Sequence, residues 1–275
     1  MRASHVFLAV CALLLAFAPA PMAQANTFTA AFSPIRLNAK PGDVVTTSVA
    51  ITTGAGPRSI NFRAHLEDWW RTADGLKTFY RPAGTLRRSC SQWVSLTPAE
   101  QEVAPGGRLS VRLTVSVPRD VEPGGYWCAV TIDELPNPLE VARQTGISFV
   151  ASFSTGVYVY ISPLTRDAVI TDLRVDGDEL QVAVRGKGNT PMHVNGRVEL
   201  RQPGSDVVIA TVSLDRNVLL PEPIGSTVLH GKLPDAATVP SGRYVARGIV
   251  DAELDHYLGA EKSLEVNRAP TSPAP

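Results

Sequence analysis

The chain has 275 residues, with 26 basic and 26 acidic side chains and a formal net charge of zero. That balance leaves no basic footprint for nucleic acid and no polyacidic tail. Beyond the N-terminal stretch no apolar run is long enough to cross a bilayer, so stable membrane insertion is not expected.

Residues 1–25 read as a secretory signal. Arg2 supplies the positive start, Val6 to Phe17 the apolar stretch, and Ala23-Gln24-Ala25 the small-x-small cleavage pattern, so a mature chain would begin at Asn26. Cys11 follows Val10 in a poor lipid-attachment context. The remaining two cysteines are Cys90 and Cys128. In an exported, oxidising setting an even pair favours a disulfide over two free thiols, although spacing alone does not fix the Cα separation a bridge needs.

After the signal the chain reads as all-β. "PGDVVTTSVAI" sets a Pro-Gly turn before Val45, Thr47, Val49 and Ile51. "PGGRLSVRLTVSV" puts Leu109, Val111, Leu113, Val115 and Val117 on one face and Ser110, Arg112, Thr114 and Ser116 on the other. "GISFVASFSTGVYVYISP" (146–163) alternates Ile147, Phe149, Ala151 and Phe153 before a dense aromatic run and a proline. Past Pro163 a second set opens with "AVITDLRVDGDELQVAV", where Leu180, Val182 and Val184 point inward and Gln181 and Arg185 outward. Val194, Val198 and Leu200 continue it, to roughly seven strands. The expectation is two immunoglobulin-like β-sandwich domains, 26–163 and 164–267, joined by a short Pro-containing hinge. The polar, Pro-rich residues 268–275 read as a disordered tail.

Chemistry is sparse. His65, His193, His230 and His256 are scattered over different strands, and no zinc spacing, nucleophile elbow, phosphate loop or dinucleotide fingerprint appears. No enzyme, cofactor or metal centre is expected. "DAELDH" would align Asp251, Glu253 and Asp255 on one strand face, a solvated face rather than a calcium site because no oxygen-ligand loop accompanies it. Trp69 and Trp70 could form a sugar platform, but adjacent strand residues face opposite ways, which favours one in the core and one on the rim.

Several motifs in consistent order over about residues 32–163 resemble the PapD-like periplasmic pilus-assembly chaperones, in particular the divergent archaic chaperone–usher branch. These are "SPIRLNAKPG" with Arg36 six residues before Gly42, "DWWRTADG", "LTPAEQEVAPGGRLSVRLTV", "YWCAVTIDELP" and the 146–163 stretch. The resemblance implies a periplasmic protein whose partners are pilus-type subunits and, where the system has one, an outer-membrane usher. It implies donor-strand complementation, in which Ile147, Phe149, Ala151 and Phe153 fill an open groove of the subunit. Arg36 matches the first basic anchor for the subunit's terminal carboxylate. The second anchor, a lysine, falls at Tyr158, which offers one neutral donor. The alternative reading is a non-catalytic structural or adhesive exported protein in which the 147–161 strand is internal. "Spore-coat-like" subunits are a further partner class within the first reading.

Overall fold

The computed structural model describes residues 28–30, 33–56, 58–76, 78–136 and 150–268. The expected signal, Ile147, Phe149 and the end of the tail lie outside the described residues. The first strands are β1 (Phe28–Ala30), β2 (Ile35–Ala39), β3 (Val44–Thr53), β4 (Ile60–Arg71) and β5 (Thr78–Pro82). After a 3₁₀ turn (Ser91–Trp93) come β6 (Val94–Thr97), β7 (Glu100–Val103), β8 (Arg108–Ser116), β9 (Gly124–Leu135) and β10 (Ser152–Ile161). One sheet runs β1-β3-β8-β6 and the facing sheet β2-β10-β9-β4-β5, with β7 beside β4. Among the described strands β2 alone runs parallel to its partner, β10.

The alternation read from the sequence sets this packing. Leu109, Val111, Leu113 and Val115 are all buried along β8, while Ser110, Arg112 and Ser116 are exposed. Opposite them lie Phe62, Val130, Ile132, Val157, Val159 and Ile161, closing the first core. Each such side chain contributes about 1.5–3 kcal/mol when removed from water.

The second sandwich pairs β11 (Ala168–Asp176), β12 (Glu179–Gly186) and β16 (Ser226–Lys232) in one sheet. The other holds β13 (Met192–Arg201), β14 (Val208–Ser213), β15 (Asn217–Leu219), β17 (Gly242–Asp251) and β18 (Leu258–Val266). Among the described residues no strand of β1–β10 pairs with one of β11–β18. Leu180, Val182, Val184, Val194, Val198 and Leu200 all enter this second core. Arg268 ties back onto it through its backbone N–H to Ser241 Oγ at 2.9 Å and its guanidinium to Asp178.

Two expectations are corrected. Gln181 is buried rather than solvent-facing, flanked on its face of β12 by the side chains of Arg174 and Glu179: it accepts from Arg174 Nε at 2.6 Å and donates to Glu179 at 2.9 Å. Asp251, Glu253 and Asp255 do not share a strand face, since β17 ends at Asp251. Asp251 accepts the Glu253 N–H at 3.0 Å, Asp255 pairs with His256 at 2.7 Å, and Glu253 turns towards His193.

Cys90, just ahead of the 3₁₀ turn, is disulfide-bonded to Cys128 in β9, with a Cα–Cα separation of 5.4 Å. The bridge pins the 83–91 loop to the central strand. Closing a loop of 38 residues restricts the unfolded chain by an entropy worth on the order of 4 kcal/mol. The double variant Cys90→Ser/Cys128→Ser should therefore lose roughly 4 kcal/mol in urea unfolding; an unchanged midpoint would mean that the bridge adds nothing.

Candidate functional site

β10 is the strand on which the site is built. It pairs antiparallel with β9 along its whole length, from Ser152↔Asp133 to Ile161↔Gly124. On its other side β2 joins only at Val157↔Ile35 and continues to Ile161↔Ala39. Among the described residues Ser152 to Gly156 therefore have a β-partner on one side alone, apart from a Thr155 Oγ1 hydrogen bond to the Ser33 carbonyl at 3.1 Å. Ala151 extends the β9 pairing by one residue, accepting the Glu134 N–H at 2.8 Å.

Period two divides the side chains of β10 between two surroundings. Val157, Val159 and Ile161 enter the first core, and Phe153 lies on that same face upstream. Phe153 is half-buried and meets Phe28 edge-to-face at 5.0 Å. Tyr158 and Tyr160 face the other way, into a seam between the sandwiches with Trp69, Trp127, Ala129 and Leu220. Trp127 Nε1 donates to the Trp69 carbonyl at 2.9 Å and Trp69 Nε1 to the Cys128 carbonyl at 3.2 Å, so neither buried indole leaves its donor unmet. Trp70, on the opposite face, stacks on Phe79 at 5.3 Å with Arg81 over its ring at 4.7 Å. One tryptophan is in the seam and one on the rim, and the rim ring is already covered.

Arg36 and Tyr158 are directly opposed in register across β2 and β10, so the structure brings the two anchor positions together. Burial pushes the Tyr158 hydroxyl well above the usual tyrosine range, and it stays a neutral donor. The second sandwich faces this pair with His193 from β13. Arg36 Nη2 lies 3.0 Å from His193 Nδ1 and 3.3 Å from Nε2, and the His193 ring meets Tyr158 at 6.1 Å. His193 Nδ1 is in turn 3.3 Å from Glu253 Oε1. The side-chain hydrogen bond with His193 holds the Glu253 carboxyl below its ordinary range. Sequence reading passed over His193 because nothing local distinguishes it; only the domain arrangement puts it against Arg36, 157 residues away.

Next to this pair the outer face of β4, β9 and β10 carries a recess of about 260 Å³ lined by Trp69, Arg71, Tyr80, Ser154, Gly156 and Tyr158. A second recess of about 390 Å³ shares Tyr80 and Ser154 and includes His65 and Asp133. His65 Nδ1 sits 3.4 Å from Asp133, so among the described residues all four histidines face a carboxylate and none faces another histidine. Among the described residues no group of three or more His, Cys, Asp or Glu is placed to hold a metal ion.

Sequence reading also passed over Asp68. It is fully buried and accepts from Leu86 N at 2.6 Å, Ser91 Oγ at 2.9 Å and Ser89 Oγ. A buried carboxylate survives only with such donors, and here they fasten the 83–91 loop.

Two contacts fix the sandwiches against each other. Asn189 staples the hinge, accepting the Thr165 N–H at 2.8 Å and donating to the Pro163 carbonyl at 3.2 Å, while its own carbonyl accepts from Gly125 N at 2.8 Å. The Asp74-Gly75 turn plugs into the second sandwich. A Cβ on Gly75 (φ +74) would meet Asn217 Nδ2 at 2.0 Å and the Val228 carbonyl at 2.8 Å, so the close approach requires glycine. At the same turn His230 Nε2 lies 2.7 Å from the Asp74 carbonyl and Nδ1 3.1 Å from Glu179 Oε2.

No protein-family model matches the chain, and no curated protein matches its sequence. Among solved structures it is similar to the CupB2 chaperone of Pseudomonas aeruginosa, at 13% identity and a TM-score of 0.45 over 86% of this chain and 100% of that one. It is also similar to the class 5 fimbriae chaperone CfaA, at 12% and 0.47 over 89% and 100%. For the E. coli chaperone DraB the values are 12% and 0.41 over 90% and 97%. The fold itself rests on the pairings and cores described above.

Both ring nitrogens of His230 face acceptors, so only the imidazolium donates to both. Burial pushes its pKa down, but the Asp74 carbonyl and Glu179 outweigh burial and raise it overall. A raised native pKa gives stability that is complete below the unfolded value of about 6.5 and lost as pH rises through the native value. Thermal unfolding should show this decline towards pH 8, and His230→Asn should flatten it; an equal slope in both proteins would exclude the His230 contact as its source.

Proposed function

We propose that this chain is a non-catalytic periplasmic chaperone for pilus-type subunits, exported by its first 25 residues and working as two modules, 26–163 and 164–267. In this reading Ile147, Phe149, Ala151 and Phe153 are donated to a subunit whose sheet lacks a strand. Arg36 and Tyr158 receive the subunit's terminal carboxylate, and an outer-membrane usher is the downstream partner such a system uses. Fimbrial and spore-coat-like subunits are the partner classes.

The observation that carries the reading is that, among the described residues, the upstream half of β10 has a β-partner on one side only. A β-edge left unpaired beside an apolar row is a template for strand addition, and a protein that keeps one stably needs a use for it. Each apolar side chain inserted into a partner core is worth about 1.5–3 kcal/mol, and the backbone hydrogen bonds of the new ladder set the register.

A second reading has its own observation. Phe28 already covers part of Phe153, as expected if the chain is a structural or adhesive pair of sandwiches whose strand is internal. Hydrogen exchange separates the two: the chaperone reading expects fast exchange in the free protein at those amides of 150–156 that point away from β9, and their protection on adding a subunit. Co-expression with a fimbrial-type subunit should give a one-to-one complex on size-exclusion chromatography. Phe149→Asp should weaken that complex at least about tenfold by burying an unpaired charge. Strong protection of the same amides of 150–156 without a partner, and no complex, would favour the structural reading.

A further inference from the structure

On the outer face of the first sheet, period two lines up Trp69 and Arg71 of β4, Ala129 of β9, and Ser154, Gly156 and Tyr158 of β10. Ala129 and Gly156 are register partners, so an alanine and a glycine stand opposite each other in the middle of an aromatic surface. The recess of about 260 Å³ is the hollow they leave, walled by Trp69, Tyr80 and Tyr158 and met by Val218 from the second sandwich. A Cβ on Gly156 would stand 2.8 Å from Tyr158 Cε2 and 3.2 Å from its hydroxyl oxygen. The glycine therefore lets the Tyr158 ring lie back along β10, with its hydroxyl over Gly156.

Among the described residues Arg71 is the one charged side chain in the lining of this recess. Its Nη1 donates to Asn217 Oδ1, a neutral partner that comes from the second sandwich. Its Nε is buried and has no hydrogen-bond partner among the described residues. A half-buried guanidinium with no carboxylate in its pocket leaves positive charge uncompensated, a cost that an incoming anion removes. The acidic side chains of this face, Glu67 and Asp133, line the neighbouring recess instead. Arg36 is placed differently. Its Nη2 is 3.0 and 3.3 Å from the two ring nitrogens of His193, so that guanidinium lies over the imidazole face.

We propose that this recess seats the terminal carboxylate of the bound chain, with the Arg71 guanidinium as its cation and the Tyr158 hydroxyl as its neutral donor. The proposal rests on the chaperone reading above and adds to it the second cation that Tyr158 does not supply. At about 260 Å³ the recess is smaller than the roughly 300–1,000 Å³ of small-molecule sites, and suits the end of a chain. A strand paired with the upstream half of β10 can run no further than Val157, where β2 takes that edge. Gly156, one residue earlier, floors the recess, so the incoming chain ends beside it. A guanidinium there selects a carboxylate over an amine. Arg36 on β2 and Arg71 on β4 lie on opposite sides of β10 and both act electrostatically on Tyr158, so an anion at its hydroxyl meets a positive charge from either side.

The test uses the full exported chain and a fluorescent peptide of alternating valine and threonine, made with a free terminal carboxylate and as its amide. Fluorescence anisotropy at neutral pH should show the acid form binding about tenfold tighter than the amide. Arg71→Gln should erase that preference and leave amide binding unchanged, while Arg71→Lys, which keeps the charge, should retain most of it. Tyr158→Phe should reduce it about threefold by removing one neutral donor. Ser154→Asp sets a carboxylate at the exposed mouth of the recess, where folding does not depend on it, and should abolish the preference independently of Arg71. Equal binding of acid and amide by the wild type, or a preference that survives both Arg71→Gln and Ser154→Asp, overturns this inference while leaving strand donation intact. Binding of neither peptide overturns both.

Discussion

One strand with two occupied faces organises the molecule. The side chains of β10 at Val157, Val159 and Ile161 close the first core, and those at Tyr158 and Tyr160 close the seam with the second sandwich. A register slip of one residue would put tyrosines into the core and aliphatic side chains into the seam, so the register is fixed from both sides. Upstream of Val157 that double constraint ends, because among the described residues β2 has not yet joined and the strand keeps a single neighbour. The described strand is therefore held from both sides at one end and from one side at the other.

The seam makes the two sandwiches act on one site. It is aromatic at its centre and polar at its margins, with Asn189 at the hinge, the Asp74-Gly75 turn with His230 at one edge, and Arg36 with His193 at another. Aromatic packing supplies most of the buried area, and the hydrogen-bonded rim sets the angle at which the domains meet. Arg36 comes from the first sandwich and its imidazole contact from the second, so anything that changes the domain angle changes the environment of the arginine. Resemblance limited to the first sandwich could not have revealed this.

The core faces of both sandwiches were legible because they depend only on period two. Leu109, Val111, Leu113 and Val115 are buried as the alternation requires, and so are Leu180, Val182 and Val184. Gln181 shows the limit of the rule. Alternation says which face a residue takes, not what lies over that face, and here the side chains of Arg174 and Glu179 flank it. The three carboxylates of "DAELDH" show another limit, since the strand ends at Asp251 and the turn sends each side chain to a different partner. Asp68 was hidden for a related reason: a buried carboxylate is identified by donors on a loop some twenty residues on, and those donors carry no local signature.

The sequence by itself determined the all-β class, the inward faces of most strands, the cysteine pair that is bridged and the motif order that resembles PapD-like chaperones. These follow from short-range periodicity, turn chemistry and composition, which the linear order of residues contains. The tertiary structure alone decided that among the described residues β2 joins β10 only from Val157 onward, that Trp69 and Tyr158 meet on one face of the first sandwich, and that His193 stands between Arg36 and Glu253. Those facts depend on contacts between residues far apart in the chain, whose free energies come from how two packed domains fit together and not from any segment's own preference.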